Sequence, residues 1–141
     1  MTPTRVPTAS ELLIHPVVVQ SLEDAWRDSS PEESLQRHEE GGWILLEVSS
    51  GRITAFRAPV GGMADIDLCL PTMLPGTIVV ATFHTHPNPT NEGWEPGPSP
   101  EDTESAWLLG VPCLIRADNG VYSTGPDSRR GGLTGGPGFP P

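Results

Sequence analysis

At 141 residues, with 35% apolar content, 17 prolines and 16 glycines, the chain has room for one core and a good deal of loop around it, and for no second domain. Its eight basic residues, all arginine, stand against 18 acidic ones for a net charge of −10. That balance excludes nucleic acid as a main partner, because phosphate binding needs a basic stripe and these arginines are scattered.

The first run, MTPTRVPTASELLIHPVVV, holds one arginine and is cut by His15-Pro16. It reads as neither a secretion signal nor a membrane span, so no membrane role and a cytoplasmic setting are expected. Residues 1–10 read as a flexible leader, 11–126 as the folded domain and 127–141 as a Gly/Pro-rich disordered tail that has nothing substantial to bury. In HPVVVQSLEDAWRDS, Pro16 sits near a helix start and Val18, Leu22, Ala25 and Trp26 fall on one face, which predicts an amphipathic helix over 15–29. SPEESLQRHEEGG is a polar connection. WILLEVSS and RITAFRAPV predict a hairpin around Gly51, and GTIVVATFHTHP predicts a strand apolar enough to be central and buried on both faces. SPEDTESAWLLG predicts a helix closed by Gly110, and PCLIRADNGVYSTG a last hairpin turned at Asp118-Asn119-Gly120. The order gives an α/β mixed sheet with helices packed on it. Cys69 and Cys113 lie in apolar runs without CxxC spacing, so both are expected buried, with no disulfide framework or zinc ribbon.

Residues two apart on a strand face the same way, so His84 and His86 present two imidazoles to one side, a geometry that suits two ligands of one tetrahedral ion. Paired histidines also occur as ordinary hydrogen-bonded residues. Ser99, Pro100 and Asp102 form a capping-box-like helix start; alternatively, the Asp102 carboxylate turns back to the same ion. Upstream, HEEGGWILLE offers Glu39 or Glu40 as a carboxylate before an apolar strand. His38 is read either as tuning that acid or as a surface residue, and His15 as structural or exposed. HExxH is absent, which excludes the thermolysin-like arrangement.

An acid before Gly42 and an apolar strand, then HTHP, then SPED, resembles in this order the signature of the JAMM metalloproteases, the active MPN (JAB) domains. The resemblance spans roughly residues 12–126. It implies a single-domain MPN-type fold, a curved mixed sheet flanked by helices, and Zn²⁺ held by His84, His86 and Asp102. It further implies Ser99 as a stabiliser of the tetrahedral intermediate and Glu39 as proton shuttle, with Glu40 the near alternative.

Such a zinc site keeps an open position, lowers the pKa of bound water to roughly 7 and polarises a carbonyl, which makes an amide hydrolase. By resemblance the substrate is a bond following the C-terminal glycines of a ubiquitin-like protein, in a precursor or a conjugate. The alternatives are a non-catalytic MPN-type scaffold, and a peptidase of the same type acting on cell-wall or effector substrates. The chain departs from the family in the longer connection 87–98, where four prolines suggest a semi-rigid flap. Trp94 in that flap either pins the loop to the domain or walls the substrate groove. In the tail, Arg129-Arg130-Gly131-Gly132 imitates the basic di-glycine end of a ubiquitin-like protein, as a weak competitor for the groove or simply as a solvated end.

Overall fold

A computed structural model describes residues 5–68 and 74–126. Expectations for residues 1–4, for Cys69 and for the tail 127–141 lie outside these described residues.

Order begins inside the stretch read as leader. Thr8 caps a short helix, α1 (Ala9–Leu13), in a capping box closed by Glu11, and Leu12 and Leu13 are buried. Two buried leucines contribute about 1.5–3 kcal/mol each when fully removed from water, enough to hold a five-residue helix that propensity alone does not support. The helix predicted over 15–29 is α2 (Pro16–Asp28), with Pro16 at its first position and His15 as N-cap, its Nδ1 accepting from the Val17 N–H at 3.2 Å. Val18, Leu22 and Ala25 are buried as the periodicity predicts. Trp26 is only half-buried and instead carries the Arg116 guanidinium 4.5 Å above its ring.

The strands are β1 (Gly41–Glu47), β2 (Ile53–Arg57), β3 (Thr77–His86), β4 (Cys113–Ala117) and β5 (Gly120–Thr124), and α3 (Pro100–Leu109) lies between β3 and β4. They form one five-stranded mixed sheet in the order β2-β1-β3-β4-β5. Both predicted hairpins are antiparallel pairs, with Trp43 opposite Phe56 in the first and Ile115 opposite Tyr122 in the second. β3 is central as expected: antiparallel to β1, and parallel to β4 through the α3 crossover. α3 starts at Ser99 and Pro100 and stops at Gly110, whose φ of 73° is the left-handed conformation that closes helices cheaply only with glycine.

Helices cover both faces of the sheet. α1 and α2 pack on Ile44, Leu46, Val80, Ala81, Phe83 and Leu114, whereas Ala106 of α3 packs on Cys113, Ile115, Ala117 and Tyr122. On the α3 side of β1, Trp43, Leu45 and Ala58 form a third cluster with Leu68 over it. Between that cluster and α3 no helix among the described residues covers β3, and the candidate site opens there. No helix among the described residues is long and apolar enough to cross a membrane.

Candidate metal centre

Pleating along β3 sends Phe83 and Thr85 to the α2 side and turns Thr82, His84 and His86 to the α3 side, where all three line one cavity. The first turn of α3 brings Asp102 over them. His84 Nε2 lies 3.1 Å from His86 Nε2 and 3.2 Å from Asp102 Oδ1, and His86 Nε2 lies 3.4 Å from Asp102 Oδ2. Ligand atoms bound tetrahedrally to zinc at about 2.0–2.1 Å stand about 3.3–3.4 Å apart along the tetrahedron's edges. The two ring nitrogens and the carboxylate therefore lie close to that spacing pair by pair, with Asp102 turning one oxygen to each ring.

The tautomer of His86 strengthens this fit. Its Nδ1 is 3.2 Å from the Pro96 carbonyl oxygen, which only accepts, so Nδ1 carries the hydrogen and the neutral ring presents its Nε2 lone pair to the cluster. A lone pair facing an imidazole nitrogen and a carboxylate needs a hydrogen or a metal ion among them, and at 3.1 Å either the His84 Nε2–H or an ion meets that need.

The electrostatics of the cluster point the same way. Burial works against a charged Asp102, but the His84 imidazole beside it and the Ser99 N–H outweigh it and hold the carboxyl well below its usual range. Burial likewise works against a charged His84, yet Cys113 and Asp102 raise its imidazole well above the histidine norm. Surroundings that bind a proton this firmly are surroundings for positive charge. The described residues contain two overlapping groups able to hold a metal ion, Glu39 with His84 and His86, and His84 with Asp102 and Cys113.

Cap and ligand are not competing roles for Asp102. The Ser99 N–H donates to Asp102 Oδ2 at 2.9 Å and the Asp102 N–H donates to Ser99 Oγ at 3.1 Å, a complete capping box, while Oδ1 stays directed at His84. Ser99 lines the same cavity, and accepting that bond leaves its hydroxyl proton to be donated elsewhere.

Glu39 and Glu40 precede β1 and diverge. Glu39 is 5% exposed, lines the cavity and places an oxygen within 4.8 Å of both histidine ligand atoms. Its N–H donates to the Gly62 carbonyl at 2.7 Å and its carbonyl accepts from Gly61 at 2.8 Å, so the backbone is held from the side opposite β3. Burial pushes its carboxyl up; His84 and His86 pull it down, and Asp102 and Asp65 push it up again, leaving it raised. Glu40 points to the α2 side, 2.5 Å from both the Arg57 guanidinium and His38 Nε2. Only Glu39 faces the histidines. Gly41 makes this possible: a Cβ there would fall 2.8 Å from the His84 Cβ and against the Phe83 carbonyl, so any other residue would force β1 away from the ligands.

His38 is half-buried and tied to Glu40; its imidazole is raised by the Gln36 carbonyl and by Glu40, against the effect of burial. It supports Glu40 and makes no direct bond to Glu39. Cys113, expected only as buried core, is a free thiol with Sγ 3.5 Å from His84 Nδ1, in the position of an outer partner that orients a ligating ring. Its place there follows from the parallel pairing that sets Cys113 beside Thr82, and no local sequence pattern encodes that pairing.

The cavity measures about 810 Å³, and Ile66, Leu68, Trp94 and Leu108 give it apolar walls. Trp94 is 40% exposed. The loop carrying it is fastened by polar bonds elsewhere: Asn88 to the Met63 carbonyl at 2.9 Å, Thr90 to Asp118 at 3.0 and 3.1 Å, Glu92 to Arg37 at 3.1 Å, and Pro96 to His86. Lining the cavity with Glu39 and Asp102 are four further carboxylates, Asp65, Asp67, Glu95 and Glu101, and, among the described residues, no arginine. No protein-family model, no curated protein and no solved structure matches this chain.

Proposed function

We propose that this chain is a zinc-dependent peptidase or isopeptidase of the JAMM type with an MPN (JAB)-type fold, and that it hydrolyses the amide bond following the C-terminal glycines of a ubiquitin-like protein. The observation that carries the reading is the convergence of His84, His86 and Asp102 within 3.1–3.4 Å of one another, with the Glu39 carboxylate beside them in the same cavity. When bound, zinc supplies a Lewis acid and a water of lowered pKa.

The chain's own residues do the rest. His84 and His86 bind through Nε2, and Pro96 keeps the His86 ring in the required tautomer. Glu39, held in a pocket that raises its proton affinity, takes the proton from the attacking water and delivers it to the leaving amine. The Ser99 hydroxyl donates to the oxyanion that develops on the substrate carbonyl. Trp94, Ile66 and Leu108 form apolar walls for an extended chain end, and the acidic lining suits a neutral or basic end over an acidic one. All five side chains of the signature line one cavity, which a scaffold that only binds partners has no use for.

The test offers zinc-loaded protein a ubiquitin-like protein with a C-terminal peptide extension, the same protein joined to a lysine side chain, and a cell-wall peptide. Mass spectrometry should show a new glycine terminus from the first two, lost on chelation and restored by zinc. Stoichiometric zinc without cleavage of any of the three would leave the scaffold reading standing.

Two further variants separate the parts. Ser99→Ala should keep its zinc and lose about 10²–10³ in kcat, as removal of an oxyanion donor does, with about 1 kcal/mol of stability lost from the cap. Trp94→Ala should raise KM about 3- to 10-fold, the equivalent of roughly 1 kcal/mol of aromatic contact, with a small change in melting temperature because the loop has other pins. A large loss of stability with unchanged KM would make the indole a pin.

A further inference from the structure

Thr85 stands between the two histidines, faces away from them and is fully buried. Its backbone N–H donates to the Glu40 carbonyl at 2.9 Å and its Oγ1 accepts from the Glu40 N–H at 3.0 Å, so both polar groups of the Glu40 backbone are bound by one residue. On its far side, Thr85 Oγ1 is 2.5 Å from Ser29 Oγ, and Ser29 Oγ donates to the Ala25 carbonyl at 2.8 Å. These bonds allow one direction only. Ser29 spends its hydrogen on Ala25, and Thr85 accepts from Glu40 and therefore donates to Ser29. The chain runs Glu40 N–H to Thr85 to Ser29 to the last turn of α2, with every member buried and satisfied.

We infer that Thr85 is a positioning residue for the proposed proton shuttle. It locks the peptide carrying Glu39 in register with the strand that carries His84 and His86, and Ser29 anchors that lock to α2. The Glu40 side chain completes the hold, since its bonds to Arg57 and His38 on the α2 side keep the alternation that sends Glu39 into the cavity. A proton shuttle must reach both the attacking water and the leaving nitrogen, and a misplacement of about 1 Å in such a group costs on the order of 10²-fold. The inference rests on the reading of Glu39 as the shuttle.

The test compares Thr85→Val, which keeps shape and loses Oγ1, with Thr85→Ser, which keeps Oγ1. In zinc-loaded protein, Thr85→Val should lose about 10- to 100-fold in kcat, with KM and zinc content unchanged, and Thr85→Ser should recover most of it. In a Glu39→Gln background, Thr85→Val should add little further loss, because the residue acts through Glu39. Hydrogen exchange should quicken at the Glu40 amide by about ten-fold or more in the Val variant and stay slow in the Ser variant. Losses that simply add to those of Glu39→Gln, or a Val variant with wild-type kcat, would overturn the positioning role. If wild-type protein cleaves no amide, the functional reading fails by itself, and exchange still decides the lock: unchanged protection of Glu40 in Thr85→Val removes it.

Discussion

Purified His86→Ala and Asp102→Asn proteins should contain almost no zinc under conditions in which the unaltered chain binds it stoichiometrically, as read by metal analysis of dialysed samples. These two variants are the informative ones. His86 is partly exposed, so its loss leaves little cavity, and Asn at 102 keeps an oxygen to accept from the Ser99 N–H while removing the charge. The fold should therefore survive in both, and metal loss is then attributable to the ligand set. A thermal measurement gives the same answer by linkage. An ion bound only by the native state stabilises it by about 2.7 kcal/mol when free metal is 100-fold above Kd, so a chelator should lower the melting temperature of the unaltered chain and leave the variants unmoved. Unchanged zinc in His86→Ala would sink the proposed centre, and the functional reading with it.

The second large effect separates two adjacent acids. Glu39→Gln should retain zinc and near-normal stability, and lose about 10²–10⁴ in kcat, the range of a general acid–base group. Glu40→Gln should do the reverse. It weakens the bonds to Arg57 and His38, for a cost of about 1–3 kcal/mol, while the Thr85 bonds to the backbone still hold the peptide, so the loss should appear chiefly in the unfolding midpoint, with kcat lowered far less than in Glu39→Gln. An inactive Glu40→Gln beside an active Glu39→Gln would mean that the side chains are inverted at the entry to β1. Full activity in both would remove either acid from the reaction.

Much of this arrangement is legible without coordinates, because the relevant signals act over one turn or one pleat. Val18, Leu22 and Ala25 declare α2 by their spacing, Ser99-Pro100 and Gly110 mark the ends of α3, and two histidines two apart on a strand share a face whatever the strand pairs with. Propensity and capping are energies between near neighbours, so near neighbours encode them. The same locality explains the miss at α1. Its five residues are too short to declare a helix, and Leu12 and Leu13 are ordered only by the core they reach.

By itself, then, the sequence determined the α/β class, the central strand, the facing histidines and the capped aspartate, with Glu39 and Glu40 left as alternatives. Tertiary structure alone decided which of the two looks into the cavity, because that depends on Arg57 and Thr85, 17 and 45 residues away along the chain. It also decided that Asp102 serves as cap and cluster member at once, that Cys113 lies behind His84, and that Trp94 lines the cavity on a loop fastened by polar bonds. The physical reason is common to all of these. Strand register and crossover are set by the fit of the entire core, and a contact across the sheet has no energy until that fit has brought its two partners together.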